Sequence, residues 1–330
     1  MRSPSPSVRA VGIATGVTIL LALLVTWFSW PAKELEPRDL PVVVAAPGPA
    51  GQQLADQLEA ARPGAFAVTI VADEAAADAA LRDRSAYAAF VAGPGGMSLH
   101  TASGAGPTVA ALLTQAAQQL GAQSGAPVTV VDVVPGAPGD PRGAGFASGF
   151  LPLVMASMVA GIALAIVIRD RGARLIGLAA FAVIAGLVGA GVLLGLDLVA
   201  GDYLAVAGAV GLLALAVSAT VAGLGALLGP AGIGLGVLLV FLFGNPISGV
   251  AAAPELLPQP WGAIGQLLPP GAGVTLMRSV AFFDGAGSAA ALWTLVGWAV
   301  AGLALVAVGR ATVPGHAGTP TPAAKGAATT

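Results

Sequence analysis

The chain has 330 residues, of which 56% are hydrophobic and only 9% are charged. Soluble domains carry about 25% charged residues, so lipid is expected to be the solvent for much of this chain. The net charge of −2 excludes a basic surface for nucleic acid, and the lack of cysteine excludes disulfides and thiol nucleophiles. His100 and His316 are far apart in sequence, so we expect neither a metal centre nor a cofactor.

The first apolar segment, residues 11–30, follows a short N-terminus of residues 1–10. About 20 residues of helix cross a hydrocarbon core of about 30 Å. The segment is uncharged and ends in Trp27, Phe28 and Trp30, which are typical of an interfacial aromatic belt. A cleaved signal peptide is the alternative, but the apolar stretch is long and no A-x-A site closes it. We therefore expect a first transmembrane helix.

Residues 31–145 differ from the rest, with 17 charged residues and frequent turn signals. Short β-rich runs alternate there with helical runs, which predicts a small α/β domain. The expected strands are 41–45, 66–71, 87–91, 97–101 and 128–134, and the expected helices are 52–61, 74–82 and 109–121.

Apolar segments resume in residues 146–310, where residues 244–288 are interrupted by six prolines and cannot form one straight helix. Short helices or a re-entrant hairpin covered by protein are expected there. The tail, residues 311–330, is rich in Pro, Thr, Ala and Gly and is expected to be disordered. The sequence thus predicts an α-helical membrane protein with six transmembrane helices and an α/β domain inserted between the first two. The last five spans are expected at 150–168, 175–196, 203–228, 231–243 and 289–308.

The charges of the short loops predict the orientation, because Lys and Arg are enriched in cytoplasmic loops. The loops on the other face carry four acids against Arg278 alone. We therefore expect a multi-pass protein of the cell membrane with both termini cytoplasmic and the α/β domain outside. The side of the termini has a single acid, Asp170, against seven basic residues: Arg2, Arg9, Arg169, Arg171, Arg174, Arg310 and Lys325.

Motifs for chemistry are scarce. The chain has neither a G-x-x-x-x-G-K-[ST] phosphate loop nor a G-x-S-x-G nucleophile elbow. Ser98 and His100 share a predicted strand without an acid partner in view, which favours a half-buried strand histidine over a catalytic triad. The spans are almost free of charge, which argues against a proton- or sodium-driven carrier. We therefore expect that the chain is not an enzyme.

The proline-rich segment is the most specific local feature. Asn245 and Pro246 end the fifth span, Pro269 and Pro270 separate two short helical stretches, and Arg278 lies on the second stretch. A broken helix beside a lumen forms gating elements in transporters, whereas a rigid cap over the outer mouth would show the same pattern. Both interpretations, an outer gate and an outer cap, stay open at this point.

Three stretches carry a resemblance to a known family: 131–135 with 139–143, 243–246, and 268–271 with Arg278. The layout resembles ABC-2-type permeases, in particular their YhgE/Pip-like relatives with a large domain between the first two spans. The resemblance implies a homodimer with an export path between subunits, and a separate cytoplasmic ATPase. It also implies lipids, glycans, drugs or peptides as substrates. The ATPase contact would fall on Arg169, Arg171 and Arg174, in a loop of only about six residues.

Two main hypotheses follow. The first is an ABC-2-like component of the bacterial cell envelope that exports an unknown substrate, powered by a separate ATPase if by any. The second is a non-transporting membrane protein whose extracytoplasmic domain binds a partner, a phage or a cell-wall component. A third, an envelope enzyme, lacks a catalytic constellation. A copurifying ATPase would favour the first hypothesis over the second.

Overall fold

The computed structural model describes residues 5–93, 96–125 and 127–309. They form two layers, a five-stranded mixed sheet with its helices and an array of long apolar helices. The expected disordered tail, with Arg310, His316 and Lys325, lies outside the described residues, as does Arg2.

The α/β domain follows the strand and helix pattern expected from the sequence. The sheet order is β2-β1-β3-β4-β5, and all neighbours are parallel except the β3–β4 hairpin. Parallel strands need crossover connections, and three helices supply them. The strands are β1 Leu40–Ala45, β2 Phe66–Val71, β3 Ala88–Gly93, β4 Gly96–Thr101 and β5 Thr129–Asp132; the helices are α2 Ala50–Ala61, α3 Glu74–Arg82 and α4 Pro107–Ser124.

The sheet is covered by helices on both faces. Alternate residues of a strand point to opposite faces. Val44 of β1 therefore joins a core with Leu113 of α4, whereas its neighbour Val43 joins a second core with Leu81 of α3. This double burial explains why β1 is a continuous apolar run rather than an alternating one.

Five helices are long and apolar enough to cross a membrane. The shortest of them has 20 residues, and at about 1.5 Å per residue it is about 30 Å long. Large apolar side chains such as Val159, Ile176 and Leu204 are exposed on their outer surfaces. The five helices are α1 Pro6–Lys33, α5 Ala144–Val167, α6 Arg171–Gly195, α7 Tyr203–Leu228 and α11 Ala289–Val308.

Helix α7 is the centre of the helical layer, and α5, α6 and α11 pack around it. Of its most apolar 18-residue stretch, 67% is buried. Its contact with α11 is very close, because a Cβ added at Gly302 would lie 2.5 Å from the carbonyl carbon of Ala219. Small residues at such crossings allow two helix backbones to touch.

The segment expected to be the fifth span is shorter than the others. Helix α8, Pro230–Val237, continues into a π-helical stretch, Leu238–Gly244, of 7 residues. Together they are about 22 Å long, less than the hydrocarbon thickness of about 30 Å. The structure therefore has five long candidate spans, and the sixth crossing stays a prediction.

Helix α1 stands apart from the other helices. None of its most apolar 18-residue stretch is buried. Its contacts are near its C-terminal end, where the Trp27 Nε1–H donates to the Leu242 carbonyl over 2.6 Å. The Trp27 ring also meets Trp261 edge-on, with 5.3 Å between ring centroids.

Residues 244–288, here called the broken segment, contain short helices, as the prolines predict. A 3-10 turn at Pro254–Leu256 is followed by α9, Trp261–Gln266, and α10, Pro269–Phe282. Helix α10 packs on both α7 and α11. Its C-terminal end lies against the start of α7, because a Cβ added at Gly201 would be 2.8 Å from the Val280 carbonyl oxygen.

Candidate functional site

The α/β domain and the broken segment share hydrophobic cores. Ala253 and Leu256 belong to the core on one face of the sheet, and Phe283 belongs to the core on the other face. Gly104 lies so close to Phe282 that a Cβ there would be 2.9 Å from the Phe282 Cβ. The domain is therefore fixed on the helix ends by buried contacts. We call this region the junction.

Arg278 is the most deeply buried charge of the junction, with 5% of its surface exposed. Its guanidinium donates to the carbonyls of Gly249 and Ala252, both at 3.3 Å, and of Val250 at 2.9 Å. It also lies over the Phe146 ring of α5, 5.5 Å from the ring centroid. Burial lowers the pKa of Arg278 to about 10, so the side chain stays charged at neutral pH. Arg278 thus links α10 to the loop before the 3-10 turn.

Three further polar side chains meet at the junction. The Tyr87 hydroxyl donates to Oε2 of Glu255 over 2.9 Å, and the Arg84 Nη1–H donates to the Thr275 carbonyl over 3.1 Å. Burial raises the pKa of Tyr87, and the nearby charge and hydrogen bond of Glu255 raise it further. Burial also lowers the pKa of Arg84. The half-buried Tyr87 phenol therefore favours its neutral form beside the Glu255 carboxyl group.

A cavity of about 560 Å³ opens between the α/β domain and the broken segment. This volume lies within the range of about 300–1,000 Å³ that is typical of small-molecule sites. One wall is polar and comes mainly from the α/β domain, and the other is largely apolar and comes from α9 and the start of α11. The polar wall includes Arg38, Asp39, Arg84, Tyr87 and Glu255, and the other wall includes Ala263, Leu267, Ala290, Ala291 and Thr294.

The structure brings the residues expected for an outer gate or cap into one packed layer. A Cβ added at Gly244, next to Asn245, would lie 2.8 Å from Pro270, which is buried together with Pro269. The Asn245 carbonyl accepts from the Ser248 hydroxyl over 2.8 Å. Pro246 follows directly and is half-buried. The Arg278 bonds add to this packing, and both interpretations of the layer, an outer gate and an outer cap, stay predictions.

The three arginines expected at an ATPase contact differ in their surroundings. Arg169 is exposed, and so is Arg171, whose Nη1–H donates to the Ala307 carbonyl of α11 over 3.2 Å. Arg174 is only 7% exposed, and its Nη2–H donates to the Ile168 carbonyl over 2.5 Å at the C-terminal end of α5. Arginine is favourable at helix C-termini, so Arg174 has a structural role. Arg169 and Arg171 therefore share the exposed surface of this loop with Asp170.

The structure also supplies an acid partner for His100 that the sequence did not show. Because an ionised carboxylate only accepts, the His100 Nδ1–H donates to Oδ1 of Asp78 over 2.7 Å. The Ser98 Oγ lies 3.2 Å from His100 Nε2. A triad also needs donors for the oxyanion, but β4 is paired on both sides, so its amides face neighbouring strands. The arrangement is a buried link between α3 and β4.

Sequence reasoning missed Arg84, Tyr87 and Glu255 as partners in one site. Glu255 is separated from Arg84 by more than half of the chain, and a single sequence contains no signal for such a contact. The one local hint is the proline-rich surroundings of Glu255.

Comparison with protein-family models, with curated proteins and with solved structures finds no match to this chain.

Proposed function

We propose that this chain is a six-span membrane protein of the cell envelope, similar to ABC-2-type permeases, and that it exports a substrate as a homodimer. Contacts at both ends of the short segment Pro230–Gly244 support the sixth crossing. Gly309, after α11, packs on Ala226 near the end of α7, where the short segment begins. Leu242, near its other end, binds Trp27, where α1 leads into the α/β domain. These two contacts are the support for the sixth crossing.

The charges at the two ends of the helices support cytoplasmic termini. Arg9, Arg169 and Arg171 lie at the ends opposite the α/β domain. At the junction end the loops contain Asp197 and Asp202, with a Cβ added at Gly139 lying 2.8 Å from the Asp197 side chain. Since basic loops stay in the cytoplasm, the α/β domain is extracytoplasmic in this proposal.

The observation that carries the transport function is the rigid junction. A domain that only displays a binding surface can be tethered by a flexible linker. Here the domain cores include residues of the broken segment, which itself packs on α7 and α11. A shift of these helices would therefore move the domain, which is the coupling that alternating exposure of a substrate requires.

The export path is proposed to lie between two copies. The centre of a single copy is filled by α7, which packs closely on its neighbours. Gly191 and Gly195 of α6 are exposed, and Cβ atoms added there would meet no described atom of another element within 4 Å. This G-x-x-x-G pair is available for close approach by a second copy, whereas Gly225 and Gly232 are used inside the bundle.

Copurification of ATPase activity tests the proposal. The tagged chain is purified in mild detergent from its native membranes, and ATP hydrolysis in the sample is measured. We expect hydrolysis with the natural chain and a loss of about tenfold or more in the double variant Arg169→Glu/Arg171→Glu, because reversed interface charges repel. Arg62→Glu, an exposed change on the α/β domain, is the matched control and should retain the activity.

Two results would contradict parts of the proposal. Unchanged ATPase activity in the double variant would show that the contact lies elsewhere. A natural chain that copurifies without ATPase would favour the second candidate, a non-transporting membrane protein whose domain binds a partner. The hydrogen bonds of Arg171 and Arg174 to helix ends are the specific observation behind that candidate, because they explain these arginines without an ATPase.

A further inference from the structure

The cavity at the junction is amphipathic in its construction. Arg38, Asp39, Arg84 and Glu255 bring two positive and two negative charges to its lining. The other side is lined mainly by Ala263, Leu267, Ala290 and Ala291, with Gln266, Thr275 and Thr294 beside them. A small polar solute would leave the apolar wall without a partner, and an alkane would desolvate the charges. The lining therefore fits an amphiphile.

Arg84 is the cation best placed to meet a ligand. Arg38 is engaged elsewhere, since its Nη1 donates to the carbonyls of Glu34, Glu36 and Leu256 at 3.0–3.3 Å. Arg84 has the Thr275 carbonyl as its acceptor and stacks on Phe283, 5.2 Å from the ring centroid. Guanidinium carries five donors in a fork that matches phosphate oxygens, and Arg84 is part of the cavity lining.

The negative side of the cavity is formed by two carboxylates. Tyr87 engages Oε2 of Glu255, while Oε1 and the Asp39 carboxylate have no hydrogen-bond partner in the described part of the chain. A purely anionic ligand would be repelled by these carboxylates, and a purely cationic one by Arg84. A ligand with one positive and one negative charge, and so no net charge, can pair with Arg84 and with the two carboxylates.

The apolar wall lies where lipid is expected. Ala290, Ala291 and Thr294 are in the first turns of α11, one of the candidate spans. Leu267, also in this lining, is 65% exposed, and its carbonyl accepts from the Trp298 Nε1–H over 2.8 Å. Because Ala290, Ala291 and Thr294 lie at the junction end of α11, the proposed topology puts the apolar side of the cavity at the boundary of the bilayer.

We propose that this cavity binds the headgroup of a zwitterionic phospholipid with a primary ammonium, such as phosphatidylethanolamine. Arg84 holds the phosphate, Asp39 and Glu255 accept hydrogen bonds from the ammonium, and the chains leave past Leu267 into the membrane. A primary ammonium has three N–H donors for the two carboxylates, whereas a choline group has none. The inference rests on the proposed function only in placing the junction at the surface of a bilayer.

Direct titration tests the inference. The purified full chain in detergent is titrated calorimetrically with dihexanoyl phosphatidylethanolamine, phosphatidylcholine and phosphatidylglycerol, and with soluble phosphoethanolamine. We expect phosphatidylethanolamine to bind about tenfold or more tightly than each of the other three, since each lacks one of the required contacts. No ATPase and no transport enters this measurement, so its result is separate from that of the copurification experiment.

Variants of the positive and of the negative side chains of the polar wall sharpen the test. Arg84→Gln should weaken phosphatidylethanolamine binding by about tenfold or more. Asp39→Asn should remove most of the preference over phosphatidylcholine. Asp39 has a positive φ of 51°, which asparagine tolerates, so this variant should fold. Arg82→Gln, an exposed change at the end of α3, two residues before Arg84, is the matched control and should bind as the natural chain does.

Three outcomes would overturn the inference. The first is phosphatidylglycerol binding as tightly as phosphatidylethanolamine, which would show that the carboxylates do not face the ligand. The second is soluble phosphoethanolamine binding as tightly as the lipid, which would assign the site to a free headgroup. The third is unchanged affinity in folded Arg84→Gln and Asp39→Asn variants, which would place any binding outside the cavity.

Discussion

Replacement of Arg278 by methionine should open the loop that this arginine holds. Arg278→Met keeps an unbranched apolar stem but removes the donors to Gly249, Val250 and Ala252. Hydrogen bonds to a charged group contribute about 1.5–3 kcal/mol each, while burial of the charge offsets part of their sum. Removing the donor also leaves three carbonyls without their partner, so we expect a loss of about 3 kcal/mol in local stability.

Hydrogen exchange followed by mass spectrometry measures this loss in the full chain. A local opening that is easier by about 3 kcal/mol should speed exchange by roughly 100-fold. The reporting amides are those of Ala252, Leu256 and Leu257, which donate to carbonyls within the loop and the 3-10 turn. Amides in the middle of α7 should exchange as they do in the natural chain, because that helix packs mainly on α5, α6 and α11.

Two variants serve as controls for the Arg278 experiment. Arg278→Lys retains the charge but has one nitrogen in place of the guanidinium fork, so we expect an intermediate increase in exchange. Arg62→Met changes an exposed arginine and should have no effect on the loop. Exchange in Arg278→Met within about threefold of the natural chain would refute the reasoning, since that corresponds to less than about 0.7 kcal/mol.

Three further expectations concern topology and the α/β domain. In intact cells an impermeant maleimide should label Gln53→Cys but not Ala173→Cys, which should react only after permeabilisation; the reverse pattern would invert the orientation. Because the pKa of Tyr87 is raised in the folded chain, the folded state favours the neutral phenol. The stability that this preference contributes is fully present below the pKa of about 10 in the unfolded chain, and it is lost as the pH rises above that value. Between pH 8 and 11 the thermal unfolding temperature should therefore fall less steeply with pH in Tyr87→Phe than in the natural chain. Equal slopes would show that Tyr87 does not cause the loss of stability. His100→Leu removes the buried link to Asp78 and should speed exchange of β4 amides by about 5- to 30-fold, from a loss of about 1–2 kcal/mol. Unchanged β4 exchange would show that the link does not stabilise the domain.

Much of the fold could be predicted from local patterns. The apolar helix expected at 203–228 is observed as Tyr203–Leu228, and the strand expected at 66–71 as Phe66–Val71. The structure of the segment expected at 231–243 is harder to predict, because its apolar run is short and composition contains no signal for its π-helical end. Helix and strand positions can be predicted in this way because hydrophobic periodicity and proline each affect the backbone within a few residues.

The candidate site was only partly accessible from the sequence. Arg278 was singled out from its position in the proline-rich segment, but its acceptors, the carbonyls of residues 249–252, could not be named. Arg174 was expected at a partner surface, whereas the structure shows it bonded to the end of α5. The sequence identifies a charge in an unusual place, and only the packed chain shows what that charge contacts.

The sequence by itself determined that this chain has long apolar helices and an α/β unit between the first two of them. Composition and periodicity suffice for that, because a helix that is apolar on all sides needs an apolar environment, and because alternating elements form layers. Only the tertiary structure decided that the α/β domain is fixed on the broken segment and that Arg84, Asp39 and Glu255 line one cavity. These residues are distant in sequence, and their contact depends on how two layers pack, which no local pattern encodes.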